Sequence, residues 1–415
     1  MKIKIFLAIM LLLAAYGCKK DHTLPIPSAG PNSILSQTHP LKINSKLLLE
    51  GVYNVSGQTE MFGDQVIVKN NRTNILIANS DGKYIVLESG YLDSVVFLQG
   101  YWRNGYGDET GLVSLMIGKD EGGTMVVTGT GTQNIVMRGA FGNESNLPDK
   151  SLVLSYSRPF SEKAKNTTYH ILAHRGGGRT SDLLPVSENS IAMVGFTERL
   201  GSTGIEIDVR LSKDSIPFLY HDGDLNIRLT QKGPLAGPPE NFTLNQLKTF
   251  VRLIHGETIP SLEELLQYTI DSTLLSFVYM DMKGDPGSVS KVVPIQKKML
   301  ERAAEKGRDI IIVMGIPNDD VLNELLAYPD YTSVPSLCEL TVDDVRKADA
   351  RVWAPRWTLG TQDDLVAQMH AEGRLAVTWT IDQPSWIRDY INEGQFDGLL
   401  TNFPYVVSYY HYIQQ

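Results

Sequence analysis

The sequence predicts an α/β protein: a (β/α)8 TIM barrel in the C-terminal part, preceded by an all-β antiparallel sandwich or small barrel. Two observations support this prediction. From residue 166 to residue 415, segments of strand and helix character alternate and include eight candidate strands, which matches a (β/α)8 barrel in count and size. Between residues 41 and 162, short runs rich in Val, Ile and Leu are separated mostly by Gly, Asn and Asp, without a helical stretch. That pattern is typical of antiparallel all-β domains.

The composition excludes several classes of protein. The chain has 415 residues, of which 42% are hydrophobic and 20% charged, so global disorder is excluded. The 38 Lys and Arg against 47 Asp and Glu give a net charge of −9, and no basic run follows residue 20. Because nucleic-acid binding needs clustered positive charge, we expect no nucleic-acid partner. Two cysteines, Cys18 and Cys338, cannot make a disulfide framework.

Residues 1–18 have the pattern of an export signal. Lys2 and Lys4, an apolar run over Ile5–Ala15, and the small residue before Cys18 resemble a bacterial lipoprotein signal peptide. The resemblance implies lipidation of Cys18, a membrane partner through this N-terminal lipid anchor, and an extracytoplasmic location in the periplasm or at the cell surface. A plain secretory signal with an incidental cysteine is the alternative. Residues 19–40 contain four prolines and no apolar period, which predicts a flexible tether.

The all-β domain, residues 41–162, has no His or Cys cluster and no catalytic spacing. Eight runs are predicted as strands: Gln65–Lys69, Asn74–Ala78, Tyr84–Glu88, Ser94–Leu98, Leu112–Ile117, Met125–Thr128, Ile135–Arg138 and Leu152–Tyr156. Tyr101, Trp102 and Tyr106 lie among glycines and could line a surface that binds a glycan or lipid. Aromatic residues in strands also commonly pack in the core, so the sequence leaves the role of this domain open.

The barrel domain, residues 166–415, alternates strands and helices. The predicted strands are Tyr169–Ala173, Gly204–Leu211, Leu275–Met282, Asp309–Met314, Tyr331–Leu337, Ala350–Pro355, Leu375–Ile381 and Asp397–Thr401. The predicted helices are Ser190–Leu200, Leu262–Ile270, Ser288–Glu305, Asp319–Tyr328, Val342–Ala348, Gln362–Glu372 and Trp386–Glu393. An open doubly wound sheet is the competing fold, but no Gly-rich dinucleotide fingerprint follows the first strand.

Ionisable residues stand at the carboxyl ends of the predicted barrel strands, where the catalytic groups of this fold lie. Glu206 and Asp208 alternate along one strand, so both carboxylates project from the same face. Two carboxylates at such a short distance repel each other unless a cation lies between them. We therefore predict a divalent cation, Ca²⁺ or Mg²⁺, held by Glu206, Asp208 and Asp281. Surface carboxylates at a solvated strand end are the alternative.

Two histidines are predicted to converge on these carboxylates. The segment Leu211–Ile216 is too short for a crossover helix, so the strand must return as a hairpin. With Lys213 and Asp214 as the two turn residues, Glu206 pairs with His221, and a longer turn would shift the pairing by one residue. His221 therefore returns to the barrel mouth, where it and His174 can supply one proton donor and one acceptor.

The residues of this predicted site and the motifs around them resemble those of the glycerophosphodiester phosphodiesterases. The resemblance covers about residues 170–410 and rests on the order and spacing of nine motifs: His174-Arg175-Gly176, Ser187-Glu188-Asn189-Ser190, Glu206-Ile207-Asp208-Val209, Lys213-Asp214, His221-Asp222, the segment 259–266, Met282-Lys283, Trp379-Thr380 and the segment 397–404. It implies a metal-dependent barrel enzyme that hydrolyses glycerophosphodiesters to glycerol 3-phosphate and an alcohol. It also implies His174 and His221 as the acid–base pair, and Arg175 and Lys283 as phosphate-binding residues. Glu188 and Trp379 are further substrate-binding candidates.

The chain departs from the family pattern at several positions. Asp281 stands where the family usually has Glu, and the segment Gly178–Pro185 is longer than typical. Asp382 stands where Asn is common and Asn402 where Asp is common. The last two changes fall at the mouth, so they concern substrate choice more than chemistry.

Three functions are compatible with these observations. The first is hydrolysis of small glycerophosphodiesters, with His174 as the favoured base and His221 as the acid. The second is the same chemistry on a lysophospholipid or a glycerophosphoinositol. The third is a surface binding protein that acts through the β domain and carries a degenerate barrel, but the complete set of His, Arg, Glu, Asp and Lys residues argues against degeneracy.

Overall fold

The computed structural model describes residues 26–28, 30, 33–57, 59–131 and 134–415. The predicted signal peptide, with Cys18, lies outside the described residues. Within the described ranges, no helix combines the length and the apolar character that crossing a bilayer requires. Residues 34–40, which the sequence assigned to the tether, instead form a 3-10 turn (Ile34–Gln37) and a short strand.

The N-terminal domain is a closed antiparallel β barrel, which decides between the two predicted all-β folds. Its described strands are β1 (His39–Pro40), β2 (Gly51–Ser56), β3 (Gln65–Asn71), β4 (Asn74–Ala78), β5 (Lys83–Leu92), β6 (Val95–Asn104), β7 (Thr110–Ile117), β8 (Val136–Phe141) and β9 (Lys150–Arg158). Strands β2 to β9 follow one another around the barrel, each paired with the next. The pair β2–β9 closes the ring, and β1 adds to β5. Closure leaves no open sheet edge in these eight strands.

The predicted strand Met125–Thr128 is wrong, because these residues belong to the helix Gly123–Thr128. Gly122 and Gly129 flank the helix in left-handed backbone conformations (φ 101° and 77°), which residues with a side chain adopt only at a cost. Val126 is buried in the barrel core. Six residues between two glycines are too few to display a helical period, so the β-branched pair resembles a strand. The strand β2 was not predicted.

The aromatic residues singled out in this domain have three different environments. Trp102 is 1% exposed and packs edge-to-face on Phe62 and Phe141 inside the barrel. Its indole N–H donates to the carbonyl oxygen of Gly142 at 2.7 Å. Tyr101 is also buried, on the outer face of the barrel, whereas Tyr106 is 40% exposed. Trp102 therefore has a packing role.

The C-terminal domain is a closed (β/α)8 barrel, as predicted. Its parallel strands are β10 (His170–Ala173), β11 (Gly204–Leu211), β13 (Phe277–Met282), β14 (Ile311–Ile316), β15 (Ser336–Cys338), β16 (Val352–Trp353), β17 (Leu375–Thr378) and β18 (Gly398–Thr401). Pairs β10–β11 and β10–β18 close the ring. Strand β12 (Pro217–Leu219) joins β11 as the antiparallel return of the hairpin. Cys338 is buried and free of any disulfide.

Helices surround this ring. They are Ile191–Thr197, Leu244–Phe250, Leu262–Ser272, Ser288–Glu305, Asp319–Leu326, Val342–Lys347, Asp363–Ala371, Pro384–Asn392 and Pro404–Tyr412. Shorter helices lie elsewhere, at Ile43–Leu47, Thr59–Phe62 and Glu162–Asn166. Leu244–Phe250 and Pro404–Tyr412 were not predicted. The second is rich in Val and Tyr and is buried on most sides, so it has no polar face to reveal a helical period.

The hairpin after β11 differs from the prediction by one residue. Val209 pairs with Leu219 and Arg210 with Phe218, so Asp208 lies opposite Tyr220. The predicted register, with Glu206 opposite His221, would have placed Asp208 opposite Leu219. The turn has three residues, 213–215, and Ser215 takes a left-handed conformation (φ 59°), as in hairpins with a three-residue loop. His221 still returns to the mouth of the barrel.

The two domains share one apolar cluster. Outward-facing residues of the β barrel, including Leu76, Tyr84 and Val86, pack in it with the barrel helices. The rings of Tyr84 and Tyr405 stack with centroids 4.3 Å apart. Gly105 permits this approach, because a Cβ there would lie 1.7 Å from the Tyr405 hydroxyl oxygen.

We therefore expect Gly105→Ala to lower the free energy of unfolding by about 1–3 kcal/mol, since the added methyl group overpacks a buried contact. Urea denaturation of the chain from residue 19 measures this change. Gly131→Ala is the matched control, because its nearest neighbour would be the Met125 sulfur at 3.6 Å. Equal stability of the two variants would contradict this account of the domain contact.

Candidate active site

Three carboxylates meet at the mouth of the (β/α)8 barrel. Glu206 and Asp208 lie on β11, and Asp281 lies beside Asp208 in register on the neighbouring strand β13. Each of the three offers an oxygen within 4.8 Å of the others, and Glu206 and Asp208 are buried. Parallel pairing brings the predicted ligands together because the same ends of adjacent strands meet at one edge of the sheet.

The carboxylates are not equivalent electrostatically. Burial, followed by the charges of Asp208 and Asp281, raises the pKa of Glu206 well above its usual value. Burial also raises the pKa of Asp281. For Asp208, burial acts in the same direction, but the charges led by Lys283 outweigh it and lower the pKa to about 2. The Lys283 ammonium lies 2.5 Å from an oxygen of each aspartate.

Asn189 orients Asp208 through a reciprocal pair of hydrogen bonds. The Asn189 side-chain amide donates to Asp208 Oδ2 at 2.5 Å, and the Asp208 backbone N–H donates to Asn189 Oδ1 at 3.0 Å. Asn189 adopts a left-handed conformation (φ 56°), which Asn tolerates better than most residues. This position therefore serves the site more than the following helix, whose N-cap is Ser190.

A second left-handed residue, Arg175 (φ 55°), holds Glu206. Its backbone N–H donates to Glu206 Oε2 at 2.7 Å, so the turn after β10 directs a main-chain donor at the carboxylate. The Arg175 side chain lies between Glu188 and His221, with nitrogen atoms 2.7 Å from Glu188 Oε1 and 2.8 Å from His221 Nε2. Strained backbone of this kind is common at functional sites.

His174 is held from one side of its ring. Its Nδ1 lies 2.9 Å from Asn402 Oδ1, and its Nε2 lies 3.9 Å from Glu206 Oε2. Burial, assisted by the charge of Arg175, lowers the pKa of His174 to about 4. The ring is therefore neutral at pH 7 and can accept a proton.

His221 has a charged partner where His174 has an amide. Its Nδ1 lies 2.8 Å from Asp222 Oδ1, and Asp222 also binds the Arg228 guanidinium. Burial would raise the pKa of Asp222, but hydrogen bonds from Arg228 and His221 outweigh it and lower that pKa. Asp222 is thus a carboxylate that accepts hydrogen bonds from both His221 Nδ1 and the Arg228 guanidinium.

The two remaining predicted substrate residues differ in exposure. Glu188 is 3% exposed and accepts from Arg175, from Arg228, and from both the backbone N–H and the hydroxyl of Thr180. These contacts make it an anchor for Arg175. Trp379 is half-buried at the mouth, donates to the Ala354 carbonyl oxygen at 2.8 Å, and lies beneath the Arg356 guanidinium at 4.9 Å.

Sequence reasoning missed Glu339 and Arg356. Glu339 directly follows β15, binds the Tyr279 hydroxyl, and has its pKa raised to about 7 by burial and the nearby Asp281 charge. The signal was present, since Glu339 is an acidic residue at a strand end. It was missed because the fifth strand was predicted to end at Leu337, before Cys338.

This arrangement combines a cluster of hard oxygen ligands, two cationic side chains (Arg175 and Lys283) and two histidines at the mouth of a (β/α)8 barrel. Such a site can neutralise an anionic ester and move protons around it. The class that the fold and the site define is therefore a barrel hydrolase.

Comparison with known proteins agrees. Residues 174–406 match the model of the Glycerophosphoryl diester phosphodiesterase family. A glycerophosphodiester phosphodiesterase of Bacillus altitudinis is 25% identical over 254 residues, covering 56% of this chain and 94% of that protein. One from Caldanaerobacter subterraneus subsp. tengcongensis is 24% identical over 243 residues, with the same coverage. The structure of an Oleispira antarctica phosphodiesterase in complex with the product sn-glycerol-3-phosphate is similar to this chain with a TM-score of 0.46 and 19% sequence identity. The similarity covers 59% of this chain and 97% of that protein's chain.

The chain belongs to the glycerophosphoryl diester phosphodiesterase family, since the family model matches more than half of it. The predicted family and enzyme class are confirmed. The matched range begins at His174, after the β barrel.

Glu339 gives this site a measurable pH dependence. Because its pKa is about 7 in the folded protein and about 4.5 in an unfolded chain, the folded state holds this proton more tightly. The associated stability is present below pH 4.5 and is lost as the pH rises to 7. In buffer with EDTA, Glu339→Gln should therefore lose less stability than wild type between pH 5 and pH 8. The difference should be at most on the order of 3 kcal/mol. Denaturant titrations at both pH values measure it, and parallel losses in the two proteins would refute this assignment.

Proposed function

We propose that the protein is a metal-dependent hydrolase that converts glycerophosphodiesters into glycerol 3-phosphate and an alcohol. The observation that carries the proposal is the convergence of Glu206, Asp208 and Asp281 with His174 and His221 at one barrel mouth. The names of the relatives support the substrate class.

The carboxylate cluster fits a hard divalent cation. Its donors are oxygens only and lie within 4.8 Å of one another. Their mutual repulsion is offset here by Lys283 and by hydrogen bonds from the Arg175 backbone and the Asn189 amide. Glu206, Asp208 and Asp281 would hold Ca²⁺ or Mg²⁺. When bound, such an ion withdraws charge from phosphate oxygens.

Arg175 and Lys283 are the residues we assign to the phosphate. Arg175 has an unpartnered, buried Nε, and its planar guanidinium can bind two phosphate oxygens at once. Lys283 acts as a point charge beside Asp208 and Asp281. Together they offset the negative charge that otherwise repels a nucleophile from phosphorus.

The surroundings of the two histidines support His174 as the base and His221 as the acid. His174, with an amide partner and a pKa of about 4, is neutral and takes the proton of the attacking water at Nε2. We assign His221, which binds the Asp222 carboxylate through Nδ1, as the acid. Its Nε2 faces the Arg175 guanidinium here, 2.8 Å away, and can face the leaving oxygen once that guanidinium binds the phosphate. As the bond from phosphorus to the leaving oxygen breaks, that oxygen receives the proton from His221 Nε2.

A second substrate class is favoured by one observation at the rim. Leu359 is 60% exposed and Trp386 47% exposed, and the Trp386 ring lies 5.4 Å from that of Trp357. These apolar side chains follow β16 and β17, near the mouth. They could contact the acyl chain of a lysophospholipid, which would also suit an enzyme attached to a membrane through a lipidated Cys18.

We expect glycerol 3-phosphate release from glycerophosphocholine, glycerophosphoethanolamine or glycerophosphoinositol in the presence of Ca²⁺ or Mg²⁺. His174→Ala and His221→Ala should each lower kcat/KM by at least about 100-fold, because each removes one proton-transfer group. His370→Ala is the matched control, since that histidine pairs with Asp397 away from the mouth. Near-wild-type turnover in both variants would refute the acid–base assignment. Activity confined to lysophospholipids would favour the second substrate class.

Metal binding can be measured without turnover. In calorimetric titrations of the EDTA-treated protein, Glu206→Gln, Asp208→Asn and Asp281→Asn should each weaken Ca²⁺ or Mg²⁺ binding at least about tenfold. Asp271→Asn is the control, because Asp271 pairs with Arg302 and Lys306 on a surface helix. Unchanged affinity in the three variants would place the ion elsewhere.

A further inference from the structure

Asp382 and Asn402, the two positions at which this chain exchanges the residue types common in its family, are in direct contact. Asp382 Oδ2 accepts from the Asn402 side-chain amide at 2.8 Å, and Asp382 Oδ1 accepts from the Asn402 backbone N–H at 2.9 Å. The pair therefore joins one carboxylate and one amide.

This contact determines how the Asn402 side chain is oriented. A carboxylate is an acceptor only, so the NH₂ group of Asn402 must face Asp382. Its oxygen then faces His174 Nδ1, 2.9 Å away. Because that oxygen accepts, the neutral His174 ring carries its proton on Nδ1 and leaves Nε2 free to accept a proton.

The β barrel also contacts Asp382 and the residue next to Asn402. Tyr106, in the loop between β6 and β7, donates its hydroxyl to the Asp382 carbonyl oxygen at 2.5 Å. Its ring packs against that of Phe403, next to Asn402, with centroids 4.2 Å apart. Gly82 makes room for the ring, since a Cβ there would lie 2.3 Å from it. A loop of the β barrel thus contacts Asp382 and Phe403, the two neighbours of the Asn402 residue that holds His174.

We propose that Asp382, held by Tyr106 of the β barrel, is a positioning residue that sets the tautomer of His174 through Asn402. The proposal rests on the proposed role of His174 as the base. It gives the β barrel a part in catalysis that requires no ligand of its own.

The decisive variant is Asp382→Asn. Its side-chain amide offers a donor where the Asn402 NH₂ group needs an acceptor, so Asn402 turns and presents its own NH₂ group to His174 Nδ1. The His174 proton then moves to Nε2, and the base is blocked. In the double variant Asp382→Asn with Asn402→Asp, the carboxylate at 402 accepts from both His174 and the new amide, which restores the wild-type tautomer.

Nitrogen NMR of the full-length chain, labelled with ¹⁵N-histidine and purified in detergent, reports the tautomer directly, with His174→Asn to assign the signal. We expect the proton on Nδ1 in wild type, on Nε2 in Asp382→Asn, and again on Nδ1 in the double variant. The same tautomer in all three proteins would overturn the proposal. This readout needs no turnover, so it tests the tautomer independently of the proposed function. A failure of the proposed function would instead appear as a wild-type protein that is inactive on every diester.

Kinetics provide the second test. Asp382→Asn should lower kcat at least about tenfold with KM changed less than about twofold, and the double variant should recover most of the loss. Tyr106→Phe should lower kcat by about two- to tenfold, as expected for one lost hydrogen bond. Tyr410→Phe is the matched control, because its hydroxyl crosses the same domain interface to the Ser80 carbonyl oxygen. Equal kcat values of the two Phe variants would show that Tyr106 does not act on His174. An unchanged kcat in Asp382→Asn would overturn the positioning role of Asp382.

Discussion

The proximity of three carboxylates at the ends of β11 and β13 is the constraint on which the rest of the site depends. Buried like charges at this distance are unfavourable unless something neutralises or hydrogen-bonds them. The chain supplies Lys283, the main-chain N–H of Arg175 and the amide of Asn189 for this purpose. Two of these donors come from left-handed residues. The local backbone is therefore arranged around the carboxylates at a cost in strain.

The β barrel is integrated with the (β/α)8 barrel through a shared apolar cluster. Tyr84 stacks on Tyr405 of the last helix, and the neighbouring loop carries Tyr106 to the rim of the mouth. Gly105 permits the contact with Tyr405, because a Cβ at this position would overlap the Tyr405 hydroxyl. The β barrel thus contacts the rim of the mouth directly through Tyr106.

Much of this could be predicted from sequence, for physical reasons. A strand alternates its side chains strictly, so Glu206 and Asp208 had to share a face, and parallel pairing had to bring Asp281 beside them. The predictions that failed concern local geometry that leaves only a weak pattern in the sequence. The hairpin register depended on Ser215 adopting a left-handed conformation, and the helix Gly123–Thr128 was too short to show a period. The pairing of Asp382 with Asn402 joins two loops separated by a helix and a strand, and a single sequence without a structure cannot reveal it.

Binding of a divalent ion by the carboxylate cluster is the property on which the proposed chemistry most directly depends. Anomalous X-ray diffraction from crystals of the protein soaked with Mn²⁺ tests this with a single map. The account predicts one peak within about 2.5 Å of oxygens from Glu206, Asp208 and Asp281, with the Lys283 ammonium displaced from between the two aspartates. A map without a peak there, with Lys283 still bridging Asp208 and Asp281, would contradict it.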